Sequence, residues 1–261
     1  MSAALRPGLS RRLSDALPPL IVLALLLGGW EAAVRMLHVP PWLLPAPSRV
    51  AARFFNTRAI WYHTGVTLGE AMAGFALSAV CGVALSAALV HSRFLERGLL
   101  PYVIVSNAIP IIAIIPLLTI WVGFGMTSKV LIAAIITFFP IVTNTTRGLK
   151  SADPRVLEFM RSINARRRHV LCKVQLPAAL PFIFAGFKIA ASLSLVGAVV
   201  AEFYGADRGL GQLVITSANE MRTDLLFVCI TILAVLGVGF FSVFSWLERL
   251  VVRGEPEASS R

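Results

Sequence analysis

The sequence contains six apolar stretches, most of them long enough to cross a lipid bilayer as helices, and this pattern restricts the chain to a membrane fold. The stretches are residues 16–34, 63–90, 99–121, 129–144, 178–203 and 224–247. Because lipid cannot satisfy backbone polar groups, each stretch is expected to be helical. The chain of 261 residues is 57% hydrophobic and only 14% charged, a balance unlike that of a water-soluble domain. We therefore predict an all-α membrane protein with about six transmembrane helices.

One long polar segment, residues 147–177, interrupts the apolar pattern between the fourth and fifth stretches, so it must project from the membrane. Asp153 followed by Pro154 predicts the start of a helix, with Asp153 as its N-cap. Apolar residues then recur at helical spacing, and Asn164 predicts the end of the helix in a left-handed conformation. The apolar residues are Val156, Leu157, Met160 and Ile163. A second basic turn is expected up to Pro177, and the short amphipathic helix is typical of a docking surface.

The same segment carries a motif at a recognisable spacing. The residues concerned are Glu158, Phe159, Met160, Asn164, Leu176 and Pro177. They resemble the "EAA" loop of binding-protein-dependent ABC importer permeases, which reads Glu-Ala-Ala, three residues, Gly, nine residues, Ile-x-Leu-Pro. The Glu, the spacing and the Leu-Pro match, whereas Phe159 and Met160 replace the two Ala and Asn164 replaces the Gly. The resemblance continues in AIPIIAIIPLLTIWVGFG and VGAVVAEFYGADRGLGQLV, and it covers nearly all of the chain after the first span.

The resemblance implies that the chain is the permease subunit of an ABC importer in the bacterial inner membrane. It further implies two copies of a cytoplasmic ATPase that binds ATP and Mg²⁺, a second permease copy that forms a homodimer, and a periplasmic or lipid-anchored substrate-binding protein. The loop at 147–177 would fit a groove on the ATPase and carry its motion to the third, fourth and fifth spans. The expected coupling residues are Asp153, Glu158, Phe159, Met160, Asn164, Leu176 and Pro177.

The resemblance leaves two groups of substrates open. The nearest members of the family are similar to nitrate, sulfonate, taurine and pyrimidine-precursor permeases. The stretch FAGFKIAASLSLVGAVVAEFYGADRGLG is closer to the permeases for pyrimidine (thiamine) precursors and riboflavin than to the sulfonate type. Specificity in such systems lies largely in the binding protein.

Other function classes find little support in the residues. The sequence has no Gly-x-x-x-x-Gly-Lys-Ser/Thr motif, so the chain is expected to bind no nucleotide through a P-loop. Its four His and three Cys are scattered, without the spacing of a catalytic or metal site, and we expect no cofactor bound by this chain. The net charge of +11 comes from short loops between apolar runs, which indicates membrane topology and no nucleic-acid partner. An ATP-independent secondary transporter remains an alternative, and a membrane-embedded enzyme is a further one.

Five residues within the spans are candidates for a translocation pathway: Glu70, Pro110, Pro116, Lys188 and Glu202. The prolines predict that the third span is either discontinuous and lines a transport site or merely kinked. A charged residue at membrane depth costs roughly 3 kcal/mol or more. Glu70 and Glu202 therefore either belong to the pathway or lie at the outer interface. Lys188 either lines a cavity or extends its side chain towards the cytoplasm.

The distribution of basic residues predicts the orientation of the chain. With six spans both termini lie on one side, and that side carries sixteen Lys or Arg against seven on the other. By the positive-inside rule, both termini and the 147–177 loop are cytoplasmic. The predicted organisation is a tail at 1–15, a transmembrane permease domain at 16–247 and a tail at 248–261.

The segments between the spans carry three local predictions. Glu31 and Arg35, four residues apart at the end of the first span, are expected to pair. The Pro47-Ser48 dipeptide predicts the start of an amphipathic helix on the membrane surface. Residues 204–223 are expected to form an outer loop.

Overall fold

The computed structural model describes residues 9–106 and 108–252, and within these ranges the chain is helical and contains no strand. Its helices are α1 Leu9–Met36, α2 Pro47–Asn56, α3 Ile60–His91, α4 Arg93–Ser106, α5 Ile111–Val122, α6 Met126–Lys150, α7 Pro154–Ser162, α8 Arg167–Val170, α9 Leu176–Glu202, α10 Leu210–Asn219 and α11 Thr223–Val251. A π-helical turn, Leu171–Gln175, joins α8 to α9. The all-α prediction is confirmed. Residues 1–8 and 253–261, which make up most of the predicted tails, lie outside the described residues.

Five described helices are long and apolar enough to cross a membrane. They are Leu17–Met36, Ile60–His91, Met126–Lys150, Arg167–Glu202 and Thr223–Val251. The predicted third span, 99–121, is divided between α4 and α5, and Pro110 is the N-cap of α5. Proline has no N–H to continue the hydrogen bonding of a helix, so its presence agrees with a break at this point. Of the two alternatives for this span, the discontinuous helix is the one that the structure shows.

The chain divides into two compact units. The smaller unit comprises residues up to Arg58 together with Thr216–Val228. In it, Arg35 pairs with Glu31 at 2.6 Å, as predicted. The backbone N–H of Ser48, at the start of α2, donates to the same Glu31 carboxylate at 3.0 Å. The helix predicted from Pro47 is thus present, and Glu31 holds its first turn.

The larger unit comprises Ala59–Ile215 and the chain from Cys229 onwards, and α6 packs in it between α3 and α9. The approach is close because glycines lie at the crossing points. A Cβ added to Gly74 of α3 would lie 2.5 Å from the Cβ of Ala133, and one added to Gly197 of α9 would lie 2.8 Å from the Cα of the same alanine. Small residues at such crossings let membrane helices gain van der Waals contact. Gly74 and Gly197 therefore allow α3 and α9 to pack closely on α6.

The structure contains helical residues in three places where the sequence analysis predicts none. The basic turn expected before Pro177 is instead α8 and the π-helical turn, so that a helical segment runs from Arg167 to Glu202. Within the predicted outer loop, 204–223, the structure has α10. The last helix continues to Val251, four residues past the predicted end at 247. These stretches contain polar residues, so the pattern of apolar runs does not predict helices there.

Candidate functional site

The first candidate site is the α7 segment between α6 and α8. The carboxylate of Asp153 accepts the backbone N–H of Arg155 at 2.8 Å, which confirms Asp153 as the N-cap of α7. No residue of α7 is buried, and the side chains of Phe159 and Val156 are 62% and 41% exposed. Glu158 is exposed on the same helix, and Met160 is half-buried. An amphipathic helix that leaves its aromatic and aliphatic side chains uncovered is suited to contact another protein.

The end of α7 is fixed by a left-handed residue. Asn164 has a φ of +51°, as the sequence predicts. Its backbone N–H donates to the carbonyl of Arg161, and the N–H of Ala165 donates to the carbonyl of Met160, both at 3.0 Å. These two bonds form a Schellman motif with Asn164 in the position where Gly is most common. Asn enters this conformation more readily than other residues with a side chain, so the departure from the "EAA" pattern preserves the turn.

After α7 the chain turns into the long helical segment that contains α9. Leu176 and Pro177 form the first turn of α9 and are exposed. Three arginines, at positions 166, 167 and 168, are also exposed at the start of this segment. The seven predicted coupling residues therefore lie within one continuous stretch of chain, from the N-cap of α7 to the start of α9.

The second candidate site is a buried ion pair between α3 and α6. Glu70 is only 2% exposed, and the ammonium of Lys129 lies 3.0 Å from its Oε1 atom. Sequence reasoning missed this pair, because 59 positions separate the two residues, and placed Lys129 only at the start of the fourth apolar stretch. One feature of the sequence could have indicated the pair: the two opposite charges lie near the starts of two apolar stretches. The pair neutralises both charges at a depth where either one alone is costly.

Glu202 anchors the connection between α9 and α10. It is 1% exposed, and its carboxylate accepts the hydroxyl of Thr67 at 2.7 Å and the backbone N–H of Gly211 at 2.5 Å. Thr67 in turn accepts the N–H of Leu210 at 2.8 Å, and the Nδ1 atom of His63 accepts the N–H of Gly209 at 3.0 Å. The carboxylates of Glu202 and Glu70 are near enough to interact electrostatically. These contacts bring two predicted site residues into one cluster.

Glycine is required where this connection meets the carboxylate. Gly209 has a φ of +115°, and a Cβ at this position would collide with the side chain of Glu202. A Cβ at Gly211 would lie 2.5 Å from the carbonyl oxygen of Val199 and 2.8 Å from Oε2 of Glu202. The two glycines thus let the backbone approach Glu202 closely.

Lys188 lies apart from this cluster and has a different partner. Its ammonium is 2.8 Å from Oε2 of Glu248 on α11, and it also lies 5.9 Å from the centre of the Phe241 ring. Sequence analysis placed Glu248 in the tail, and so missed the pair. Pro110 and Pro116, the remaining candidates, lie at the start of α5 and within it.

The comparisons with known protein sequences all indicate the same family. The model of the family described as "Binding-protein-dependent transport system inner membrane component" matches residues 79–253. The chain is 39% identical over 238 residues to the riboflavin transport system permease protein RibX of Chloroflexus aurantiacus, covering 90% of this chain and 89% of that protein. It is 32% identical over 244 residues to the formylaminopyrimidine transport permease protein ThiX of Halalkalibacterium halodurans, covering 93% and 97%. Further relatives are named for aliphatic sulfonates, taurine and nitrate.

A solved structure supports the same fold. A chain of the MetNI methionine ABC transporter, in an inward-facing conformation, matches with a TM-score of 0.67 at 19% identity. The match covers 75% of this chain and 98% of that chain. At this identity the likeness concerns the fold alone.

The Glu202 contacts predict a specific sensitivity at Gly209. We expect Gly209→Ala to destabilise the protein by about 1–3 kcal/mol, because the new Cβ must displace the buried carboxylate. This corresponds to a melting temperature roughly 2–10 °C lower in detergent. The matched control is Gly123→Ala, since Gly123 also has a positive φ of +94° but has no atom within 4 Å of an added Cβ. Equal losses of stability in the two variants would show that Gly209 matters only for its backbone conformation.

The Schellman motif predicts how α7 responds to substitution at Asn164. We expect Asn164→Val to open the end of α7, because a left-handed conformation costs a residue with a Cβ about 1–2 kcal/mol, and a β-branched one at least that. Trypsin cleavage at Arg161 and Arg166 should then be about tenfold faster than in the parent protein. Asn164→Gly is the control and should be cleaved at the parent rate. Unchanged cleavage of Asn164→Val would contradict the role of the left-handed turn.

Proposed function

The chain belongs to the family of binding-protein-dependent transport system inner membrane components, and from this premise we propose that it forms the translocation pathway of an importer in which α7 docks on the ATPase. As the permease component of an ABC importer, it works with an ATPase and a substrate-binding protein. We assign two ATPase copies, which hold ATP and Mg²⁺, and a second copy of this permease. The chain itself binds no cofactor in this scheme. The observation that carries the proposal is the exposed, firmly capped α7.

Seven residues are proposed to couple the ATPase to the membrane helices. Phe159 and Met160 supply apolar contact, and Glu158 supplies a charge on the docking surface. Asp153 and Asn164 fix the two ends of α7, and so determine its angle to the helices on either side. Leu176 and Pro177 begin α9, where the motion of α7 enters the membrane. These roles combine the position of each residue in the structure with the role that the family resemblance implies for it.

The packing of α6 on α9 offers a route for this motion. The two helices flank α7 in the chain, and a Cβ at Gly148 of α6 would lie 3.0 Å from the Cα of Ala179 on α9. Lys150, the last residue of α6, forms an ion pair with Glu96 of α4. Displacement of α7 would therefore move α6, α9 and α4 together. Rocking of such a packed group between inward- and outward-open states is the expected mode of transport.

The orientation and the substrate complete the proposal. The excess of basic residues places both termini and α7 on the cytoplasmic side of a bacterial inner membrane. The solute is small and organic or anionic: either a pyrimidine (thiamine) precursor or riboflavin-like molecule, as the names of two relatives suggest, or a sulfonate, taurine or nitrate. A periplasmic or lipid-anchored binding protein would deliver it.

The docking role predicts the effect of reversing one charge. Glu158→Lys should leave the protein folded in the membrane but reduce substrate-stimulated ATP hydrolysis to the basal rate, because a cation replaces a carboxylate at the contact. The matched control is Glu220→Lys, which makes the same change at an exposed carboxylate outside the loop. Both variants are to be assayed for ATPase co-purification and for hydrolysis. Normal coupled transport by the Glu158→Lys variant would show that this residue has no role in the coupling mechanism.

A native thiol tests the orientation. Cys172 is exposed on the π-helical turn, whereas Cys81 lies within α3 and Cys229 is buried. A membrane-impermeant maleimide should label Cys172 in inside-out vesicles and leave intact spheroplasts unlabelled. Cys172→Ser should abolish the signal. Labelling of Cys172 from the outside of spheroplasts would reverse the proposed topology.

A further inference from the structure

One oxygen of the buried Glu70 carboxylate has no hydrogen-bond donor among the described residues. Its Oε1 atom accepts a hydrogen bond from the ammonium of Lys129 at 3.0 Å, whereas its Oε2 atom is buried and has no such partner. Glu70 is only 2% exposed, so this oxygen cannot be satisfied at the protein surface. Buried polar atoms are almost always hydrogen-bonded, because an unpaired one loses the free energy of its hydration. The Oε2 atom of Glu70 therefore requires a donor.

The carboxyl group of Glu202 lies beside Glu70. The two side chains are within hydrogen-bonding reach of each other, and Glu202 is 1% exposed. Both oxygens of Glu202 already accept hydrogen bonds, one from the hydroxyl of Thr67 at 2.7 Å and the other from the N–H of Gly211 at 2.5 Å. Ionised carboxylates have acceptor atoms only, so contact between two of them provides no hydrogen to join them. The contact between the two glutamates thus lacks one hydrogen.

The charges of this cluster also lack one proton. The ammonium of Lys129 supplies one positive charge, whereas Glu70 and Glu202 would supply two negative charges if both were ionised. Two carboxylates that lie together and are shielded from water repel each other strongly, so one of them keeps its proton. A single proton between the two carboxyl groups therefore balances the charge and supplies the missing hydrogen.

The other titratable groups near the cluster do not supply a second positive charge. The Nδ1 atom of His63 accepts the N–H of Gly209 at 3.0 Å, which uses the lone pair of a neutral imidazole. Cys229 of α11 interacts electrostatically with Glu202, but a thiol is either neutral or negative. The connection between α9 and α10 carries two charged residues, both exposed: Asp207 and Arg208.

We propose that Glu70 and Glu202 share one proton, and that this proton fastens the connection between α9 and α10 to α3. Each of the four carboxylate oxygens then has a partner, and the remaining negative charge stays opposite Lys129. Without the proton, repulsion would push Glu202 away from Glu70 and withdraw it from the N–H of Gly211. A monovalent metal cation that bridges the two carboxylates is the competing occupant. The site does not depend on the proposed role of the chain in import, and its tests do not measure ATP hydrolysis.

The first test compares the pH dependence of unfolding between the parent protein and Glu202→Gln. Above the ordinary pKa of Glu, about 4.3, the unfolded chain has released the proton that the folded pair retains. The folded state therefore binds one more proton, so a rise in pH destabilises it, and the unfolding equilibrium constant increases about tenfold per pH unit. In Glu202→Gln the amide N–H replaces the proton permanently. Between roughly pH 5 and 7, this full-length variant in mixed detergent micelles should lack the tenfold increase, while contributions from other groups cancel in the comparison.

The second test detects the proton by infrared spectroscopy. A protonated carboxyl group absorbs as a carboxylic acid, and an ionised one absorbs as a carboxylate. The parent protein at neutral pH should show a carboxylic acid band that is absent from Glu202→Gln. The matched control is Glu220→Gln, which makes the same change at an exposed carboxylate outside the cluster and should keep the band.

A second variant checks which carboxyl group carries the negative charge. Glu70→Gln should be less stable than Glu202→Gln, because it leaves the ammonium of Lys129 without an anion. The opposite order of stability would place the charge on Glu202 and overturn the proposed network.

Four other results would overturn the inference. The first two are equal pH dependence of unfolding in the parent protein and Glu202→Gln, and a carboxylic acid band that persists in Glu202→Gln. Loss of the pH dependence in His63→Gln, with its retention in Glu202→Gln, would assign the proton to the imidazole. Stabilisation of the parent protein by Na⁺ at constant pH and ionic strength, absent from Glu202→Gln, would assign the site to a metal cation.

Discussion

Close packing of α6 against α3 and α9 is the constraint on which the larger unit depends. Ala133 is fully buried at the point where Gly74 and Gly197 face it, and a side chain on either glycine would force the helices apart. Because lipid is as apolar as the helices, association in a membrane relies on such contact and on buried polar bonds. The packing also brings Lys129 within 3.0 Å of Glu70, so the ion pair is a consequence of the same helix arrangement.

Local patterns in the sequence predicted much of this structure, and long-range pairs account for what they missed. Five of the predicted spans, the N-cap Asp153 and the left-handed Asn164 depend on neighbouring residues, which a sequence displays directly. The partners Lys129 and Glu248 lie 59 and 60 positions from Glu70 and Lys188, and only the packing of helices brings them together. The α10 helix escaped prediction because Gly and polar residues surround it. The amphipathic pattern of α7 predicts a docking surface, and only the family resemblance predicts that its partner is an ATPase.

The charged residues of the protein occupy two kinds of position. Within the apolar helices, Glu70, Lys129, Lys188 and Glu248 form pairs, and Glu202 accepts hydrogen bonds from Thr67 and Gly211. These groups stabilise the positions of the helices. At the proposed cytoplasmic side, Glu158 and the arginines at 166–168 are exposed. These exposed charges lie on the segment that we propose docks on the ATPase.

The docking of α7 on the ATPase is tested most directly by cross-linking from its exposed aromatic position. A photoreactive benzoylphenylalanine at position 159 replaces Phe159, which is 62% exposed, and a second protein carries it in place of Phe55, which is 80% exposed on α2. We expect irradiation of membranes to produce an adduct with the ATP-hydrolysing subunit from position 159 and none from position 55. An adduct with that subunit from position 55, or its absence from position 159 in an importer that hydrolyses ATP, would contradict the docking of α7.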